Sequence, residues 1–338
     1  MPISARWVPR AALATAVLSV AALAAAPRLL AGDDVRALWV ERTSLTSAKS
    51  IEDIVAAAKQ NGFNTLLVQI RGFGDAYYLN GVEPRPTALL SQPAFDPLAD
   101  AISKAHARGL AVHAWINVNL VAGTNLPPGR GHVAYRHPEW LMVPRQLVGD
   151  LATLDPEGPE YLGRLARHAR SHAADLEGLY LSPATTGSVE YTVGVVRDIV
   201  QRYAVDGVHF DYVRYPSDDF DYSRETLRAF GQSVTTFPDR WRRFRADRLT
   251  ALLSELRRTV KAARPAAAVS AAIATDPVIA SARHLQDWNA WLKQGLLDVI
   301  CRPSEPAFER VETAHRLGVG GTILSVGELG RAAFSPQF

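Results

Sequence analysis

The stretch Asp206-Gly-Val-His-Phe-Asp-Tyr-Val-Arg-Tyr-Pro216 decides the fold. A turn-forming Asp-Gly opens it, residues of alternating character follow, and a cluster of Asp, Tyr and Arg closed by proline ends it. That is the pattern of a short buried strand delivering polar groups at its C-terminal end. Side chains alternate along a strand, so Val208, Phe210 and Tyr212 are expected on one face and His209 and Asp211 on the other. A carboxylate on the inward face costs free energy unless it has a partner or a role. The competing assignment for Asp211 is a structural residue that caps the following loop.

Working outward, the same unit recurs. Strands are expected at residues 36–41, 64–71, 110–117, 268–273, 297–301 and 321–325, with helices at 50–61, 97–108, 157–174, 189–203, 239–263, 284–294 and 308–317. Residues 176–181 read as a short extended piece, and 118–156 as a long Gly-, Pro- and Asn-rich excursion that contributes to a site. Apolar strands alternating with helices describe parallel βαβ units. Seven of them give an α/β fold, a TIM-like (β/α) barrel one strand short of eight, in a single domain over residues 35–330. An open nucleotide-binding sheet would carry a Gly-rich first loop, and Glu41-Arg-Thr-Ser-Leu45 has no glycine.

At the N-terminus Arg6 and Arg10 precede an apolar run over residues 11–26, followed by the small residues Ala24-Ala-Ala26 and Ala31-Gly32. This is the layout of a secretory signal over residues 1–31, with the mature chain starting between 27 and 33. The run is shorter than the roughly 20 residues a span needs, so export without stable membrane insertion is expected, to periplasm or exterior. The formal charge of +3 owes three positive charges to Arg6, Arg10 and Arg28. The mature chain is therefore neutral, which argues against nucleic acid. The run Arg240-Trp-Arg-Arg-Phe-Arg245 reads as the solvated side of a helix. Cys301 is the only cysteine in a chain that is 48% hydrophobic, and it reads as an inert buried thiol.

The strand ends gather candidates for chemistry: Glu41, then Gln69, Arg71 and Asp75, then Trp115, Asn117 and Asn119. His209, Asp211, Tyr212 and Arg214 follow, then Asp276, then Glu305. Carboxylates, amides, aromatics and arginines around one mouth suit a sugar, because rings stack on pyranose faces, amides and guanidinia bind hydroxyls, and paired acids hydrolyse. His132 and His137 stand five apart, whereas helical metal pairs stand four apart. No phosphate loop or nucleophile elbow occurs, so neither a metal nor a cofactor is expected.

Beyond these physical cues, the chain resembles the family-10-like glycosyl hydrolases, a group of bacterial exported barrels. The resemblance rests on Arg36-Ala-Leu-Trp-Val40, Gly62-Phe-Asn-Thr65, Gln69-Ile-Arg-Gly-Phe-Gly-Asp-Ala-Tyr-Tyr78, Asp96-Pro-Leu98, Ala107-Arg-Gly-Leu110, His113-Ala-Trp-Ile-Asn117, His137-Pro-Glu-Trp140 and the 206–216 stretch. It continues through Asp287-Trp288, Trp291, Gly295 and Leu297-Asp-Val-Ile-Cys301. It implies a (β/α) barrel that hydrolyses a bacterial polysaccharide, members being linked to peptidoglycan glycan strands stripped of peptides, and it places Asp211 on the family's strand-four acid. The chain departs from the family at Arg302-Pro-Ser-Glu-Pro306, after which a βα unit is missing.

On this basis Asp211 is expected as general acid or nucleophile. Its partner is expected to be Asp276, with Glu305 and Glu41 as alternatives. The competing assignments are a helix-capping Asp before Pro277 and a solvated loop Glu. Arg71, Asp75, Trp115, Asn117, Asn119, His209, Tyr212 and Arg214 are candidate sugar contacts. For Arg71 and Asp75 a mutual salt bridge is the alternative, and for Trp115 burial in the barrel. The rival function is a non-catalytic glycan-binding barrel.

Overall fold

The computed structural model describes residues 35–301, apart from 128 and 275, together with the backbone of 321–325. The expected signal segment, Glu305 and the helix expected at 308–317 lie outside the described residues. The strands are β1 (Val35–Val40), β2 (Thr65–Arg71), β3 (Ala111–Asn117), β4 (Leu120–Gly123), β5 (Gly178–Tyr180), β6 (Gly207–Asp211), β7 (Ala268–Ala272), β8 (Val299–Cys301) and β9 (Gly321–Ser325). Seven form one parallel sheet in the order β8-β7-β6-β3-β2-β1-β9. The expected strands are these seven, in chain order. Strands β4 and β5 pair antiparallel with each other and lie outside that sheet.

The sheet is strongly curled. Strands β1 and β6 stand three positions apart in it, which across a flat sheet would be roughly 14 Å. Yet the rings of Trp39 on β1 and His209 on β6 are 5.2 Å apart, and those of Trp39 and Trp115 on β3 are 4.4 Å apart. Two apolar clusters follow from this curvature and from strand alternation. Val35, Ala37, Leu67 and Trp115 pack inside the curl with Trp39. Leu38, Val40, Leu66, Val68, Val112, Ala114, Val208, Phe210 and Val269 pack outside, in the main core with the helices. The interior is thus a filled plug, with His209 and Ser270 buried in it beneath the polar groups of the C-terminal rim.

The helices are α1 (Ala48–Gln60), α2 (Pro97–His106), α3 (Val133–Arg136), α4 (Val148–Leu151), α5 (Pro159–Ser171), α6 (Thr186–Arg202), α7 (Arg224–Phe230), α8 (Pro238–Ala263), α9 (Pro277–His284) and α10 (Trp288–Lys293). The Ser47 and Asp96 side chains accept hydrogen bonds from the first turns of α1 and α2, which fixes where those helices begin. On α8, Leu249, Leu252, Leu253 and Leu256 are buried as their spacing requires.

Two local expectations are corrected. The helix expected at 284–294 is shorter, α10 alone, and the unexpected α9 precedes it; the two are parted where Leu285 takes φ +55° and the Gln286 side chain turns into the core. The arginine-rich run is not wholly solvated either. Arg245 is buried, donates to the carbonyls of Asp218 and Phe220 and stacks on Trp241 at 4.8 Å. Cys301 is buried as expected. Among the described residues no helix is long and apolar enough to cross a membrane.

Candidate active site

The C-terminal ends of β1, β2, β3, β6 and β7 open into one cavity of about 520 Å³. Alternation delivers Trp39 and Glu41 from β1, Gln69 from β2, Trp115 and Asn117 from β3, and Asp211 from β6. The parallel register sets Trp115 beside His209 and Asn117 beside Asp211, so depth along the strands is matched across the sheet.

Strand β6 ends at Asp211, and the next residue, Tyr212, has φ +53°. That left-handed conformation is costly for a residue with a Cβ, on the order of 1–3 kcal/mol, and such strain collects at functional sites. It turns Tyr212 into the cavity rather than onto the outer face with Val208 and Phe210, correcting the expectation from simple alternation. It also aims the Tyr212 N–H at the Asp211 carboxylate, 2.7 Å away. Burial pushes the Asp211 carboxyl up to about 6; the Tyr212 N–H, the Arg214 guanidinium and the Trp115 indole partly offset that rise, and the Glu177 charge adds to it. Arg214 lies over the Tyr212 ring at 5.0 Å and pairs with Glu177, whose other oxygen accepts from the Tyr180 hydroxyl at 2.7 Å.

Beyond the ends of β1 and β2 Arg42 donates to Gln69 at 3.1 Å and lies 4.4 Å over the ring of Phe73, 3.8 Å from the Asp75 carboxylate. Gln69 donates in turn to Asn117, and Asn117 donates to the Gly72 carbonyl at 2.8 Å. The wall is a continuous polar network whose members hold one another in place. Gln286 closes the third side. It accepts from Ala274 N–H at 2.9 Å and donates to the carbonyls of Val213 and Ala272, tying the end of β6 to that of β7.

Trp115, Asn117, Asp211, Tyr212 and Arg214 therefore line the cavity as expected, with Glu41 and Gln69. Five other candidates do not. The register shifts between Gln69 and Arg71, so that Arg71 comes level with the outward-facing Ile116. This bulge turns Arg71 away from the mouth, into a fully buried bidentate pair with Glu83 at 2.7 Å. The alternative, an Arg71–Asp75 bridge, does not form either. Asp75 instead accepts from the N–H groups of Gly72 and Phe73 at 3.0 Å and faces Arg42. Asn119 is buried and donates to the Leu181 carbonyl at 2.9 Å, joining the β4–β5 layer to the strand ends.

His209 points inward but lies a layer deeper, fully buried, with Nδ1 2.9 Å from Ser270 Oγ; burial lowers it to about 3, so it is neutral. Asp276 is exposed at the start of α9, where its carboxylate accepts from Val278 and Ile279 N–H at 2.7 and 3.2 Å. It is the helix cap, not a cavity residue. Among the described residues the cavity's carboxylates are Asp211, at the end of β6, and Glu41, just beyond β1.

Trp39, Arg42, Phe73, His284 and Gln286 also line the cavity, although none is among the residues expected there. Trp39 shares the parity of Glu41 and was legible on that ground; the others come from loops and helix ends. His132 and His137 hold no metal geometry. His132 spends one ring nitrogen on Ala134 N–H and the other on the Phe73 carbonyl at 2.6 Å, while His137 stacks on Trp140 at 3.7 Å.

The chain is 27% identical over 271 residues to the glycosyl hydrolase DigH of Escherichia coli K12, covering 71% of this chain and 54% of that protein. It is 24% identical over 241 residues to the glycosyl hydrolase YngK of Bacillus subtilis 168, covering 68% and 40%. It thus spans about half the length of these curated relatives. Among solved structures it is similar to the PgaB (BpsB) glycoside hydrolase domain of Bordetella bronchiseptica. The TM-score is 0.57 at 16% identity, covering 85% of this chain and 79% of that one, a likeness of fold. With the family model for Glycosyl hydrolase-like 10 matching residues 34–303, the curled parallel sheet and its acid-bearing mouth belong to a member of the glycosyl hydrolase-like 10 family.

Proposed function

We propose that the protein hydrolyses a glycosidic bond in a bacterial envelope polysaccharide, outside the cytoplasm, with peptide-free peptidoglycan glycan strands as the substrate to test first. The observation that carries this is a carboxyl raised to about 6, Asp211, lining with a second carboxylate, Glu41, one cavity of sugar-binding chemistry. A carboxyl that keeps its proton near pH 6 suits a general acid, and a second carboxyl group in the same cavity can serve as its partner base.

In this mechanism the Asp211 proton passes to the leaving glycosidic oxygen as the bond from that oxygen to the anomeric carbon breaks. Glu41 takes a proton from the water that attacks the opposite face of the same carbon. Trp39 and Tyr212 offer ring surface to the sugar; Gln69, Asn117 and Arg214 offer hydrogen bonds to its hydroxyls.

The test is incubation of purified glycan strands, with and without amide-linked stems, with wild type and Asp211→Asn. New reducing ends from wild type and none from the variant support the proposal. Equal product from both removes Asp211 from the chemistry, and tight binding without product from either favours a glycan-binding barrel.

A further inference from the structure

The main cavity is not isolated on the C-terminal face. Arg214 and His284 line it and also line a narrower hollow of about 290 Å³. Asp175, Leu176, Pro216 and Arg283 line that hollow and also a third one of about 520 Å³. The three therefore run in series as one trough, between the chain following α5 and the C-terminal end of α9, over the segment that follows β6.

The distal hollow carries the same chemical classes as the main one. Phe220 gives it a half-buried ring, and Arg145, Gln146 and Arg283 give it amide and guanidinium donors. His168 and His172 stack on each other at 4.1 Å along its wall. The wall is fixed from behind. Arg145 N–H donates to the Asp219 carbonyl at 2.9 Å, and Arg245 holds the carbonyls of Asp218 and Phe220. A volume near 500 Å³ lies within the range of small-molecule sites, and a ring, amides and cations around it suit a saccharide unit. Between the two large hollows a chain would cross the Arg214–Glu177 pair, which presents a donor and an acceptor to sugar hydroxyls.

We propose that the distal hollow is a remote subsite for the same polysaccharide chain, so that the protein engages a polymer several sugars long rather than a terminal unit. This rests on the main cavity being a glycosidase site. Binding energy gained far from the scissile bond is then available to position the reacting sugar, and short substrates should lose it.

The test uses size-fractionated, peptide-free peptidoglycan glycan strands, with wild type and the double variant Arg145→Ala/His172→Ala, two exposed positions away from the main cavity. For wild type kcat/KM should rise by about tenfold or more from the shortest cleaved oligomer to long chains. The double variant should lose most of that rise through KM, with the shortest oligomer cleaved as by wild type. No length dependence in wild type, or equal loss on short and long chains, overturns the proposal. Calorimetric binding of the same fractions to Asp211→Asn, with and without the double substitution, separates the two readings. Long chains that bind tighter, and lose that advantage in the double variant, support the subsite even if hydrolysis is never observed. Identical binding of short and long chains overturns the subsite while leaving hydrolysis standing.

Discussion

The Asp211 carboxylate takes a 2.7 Å hydrogen bond from the N–H of Tyr212, the residue that adopts φ +53° immediately after it. The bend and the acid are one device: the strained residue sets where the carboxyl points. Asp211→Asn should abolish turnover while preserving the fold. The sign of its stability effect follows from the raised carboxyl. In the folded state Asp211 holds its proton up to about pH 6, against 3.8 for the free group, so its contribution to stability is fully present below about pH 4 and lost as pH rises through 6. The Asn variant should therefore melt no lower than wild type at pH 7.5, and higher by an amount on the order of 1–2 kcal/mol if desolvation is its main burden. At pH 4 the difference should vanish, which thermal melts at the two pH values will show.

Arg214 lowers the Asp211 carboxyl, while Glu177, which Arg214 neutralises, raises it. Removing the guanidinium in Arg214→Met should raise the acid further. A general acid works while protonated, so wild-type kcat/KM should fall above about pH 6, and in the variant that falling limb should move to higher pH. A pH–rate profile whose limb stays put would dissociate Arg214 from the acid.

Glu41 and Asp211 stand on β1 and β6, separated in the sheet by β2 and β3. Adjacent strand ends would suit the roughly 5 to 5.5 Å of a retaining pair; a pair across the mouth suits the wider 6.5 to 9.5 Å or so that leaves room for water. The expected outcome is inversion at the anomeric carbon, read by proton NMR of the first product. Glu41→Gln should lower kcat by about 100-fold or more with little change in melting temperature. Retention, or an active Glu41→Gln, would remove Glu41 as the base.

Asp276 caps α9 from outside the cavity. Asp276→Ala should cost about 1 kcal/mol of stability and leave kcat unchanged. Loss of turnover in a folded Asp276→Ala protein would return it to the mechanism.

The buried Arg71–Glu83 pair should be the most sensitive electrostatic point of the fold. Arg71→Met leaves buried Glu83 with the Tyr191 hydroxyl but without its cation and should cost about 3–5 kcal/mol, measurable by urea unfolding. A change below 1 kcal/mol would mean that Glu83 finds another partner or a proton.

How much of this was legible in the sequence depends on the kind of residue. The face occupied by Trp115, Asn117 and Asp211 follows from strand alternation alone, and the parallel arrangement of the seven strands from the recurring βα unit. Alternation says which face but not how deep, which is why His209, inward as expected, lies beneath the mouth rather than in it. It also fails where the backbone departs from regularity. A one-residue shift after Gln69 sends Arg71 outward, and a left-handed Tyr212 brings inward a ring that parity assigns to the core. Asp276 was an ambiguous sign, since Asp before Pro marks a helix start as readily as it marks a strand end. Arg42, His284 and Gln286 reach the site from a short turn, a helix end and the residues just beyond it, where strand alternation says nothing.

Arg71 and Glu83 are twelve residues apart and meet at the neck of the chain segment that carries Phe73 and Asp75 to the cavity rim. The Tyr191 hydroxyl, 3.0 Å from Glu83, anchors that neck to α6. The pair thus acts as a clasp on a purse: it closes a compact loop without a covalent bond, and the loop's freedom is largely spent before any sugar arrives. The shape of the mouth therefore depends on an ion pair that faces away from it.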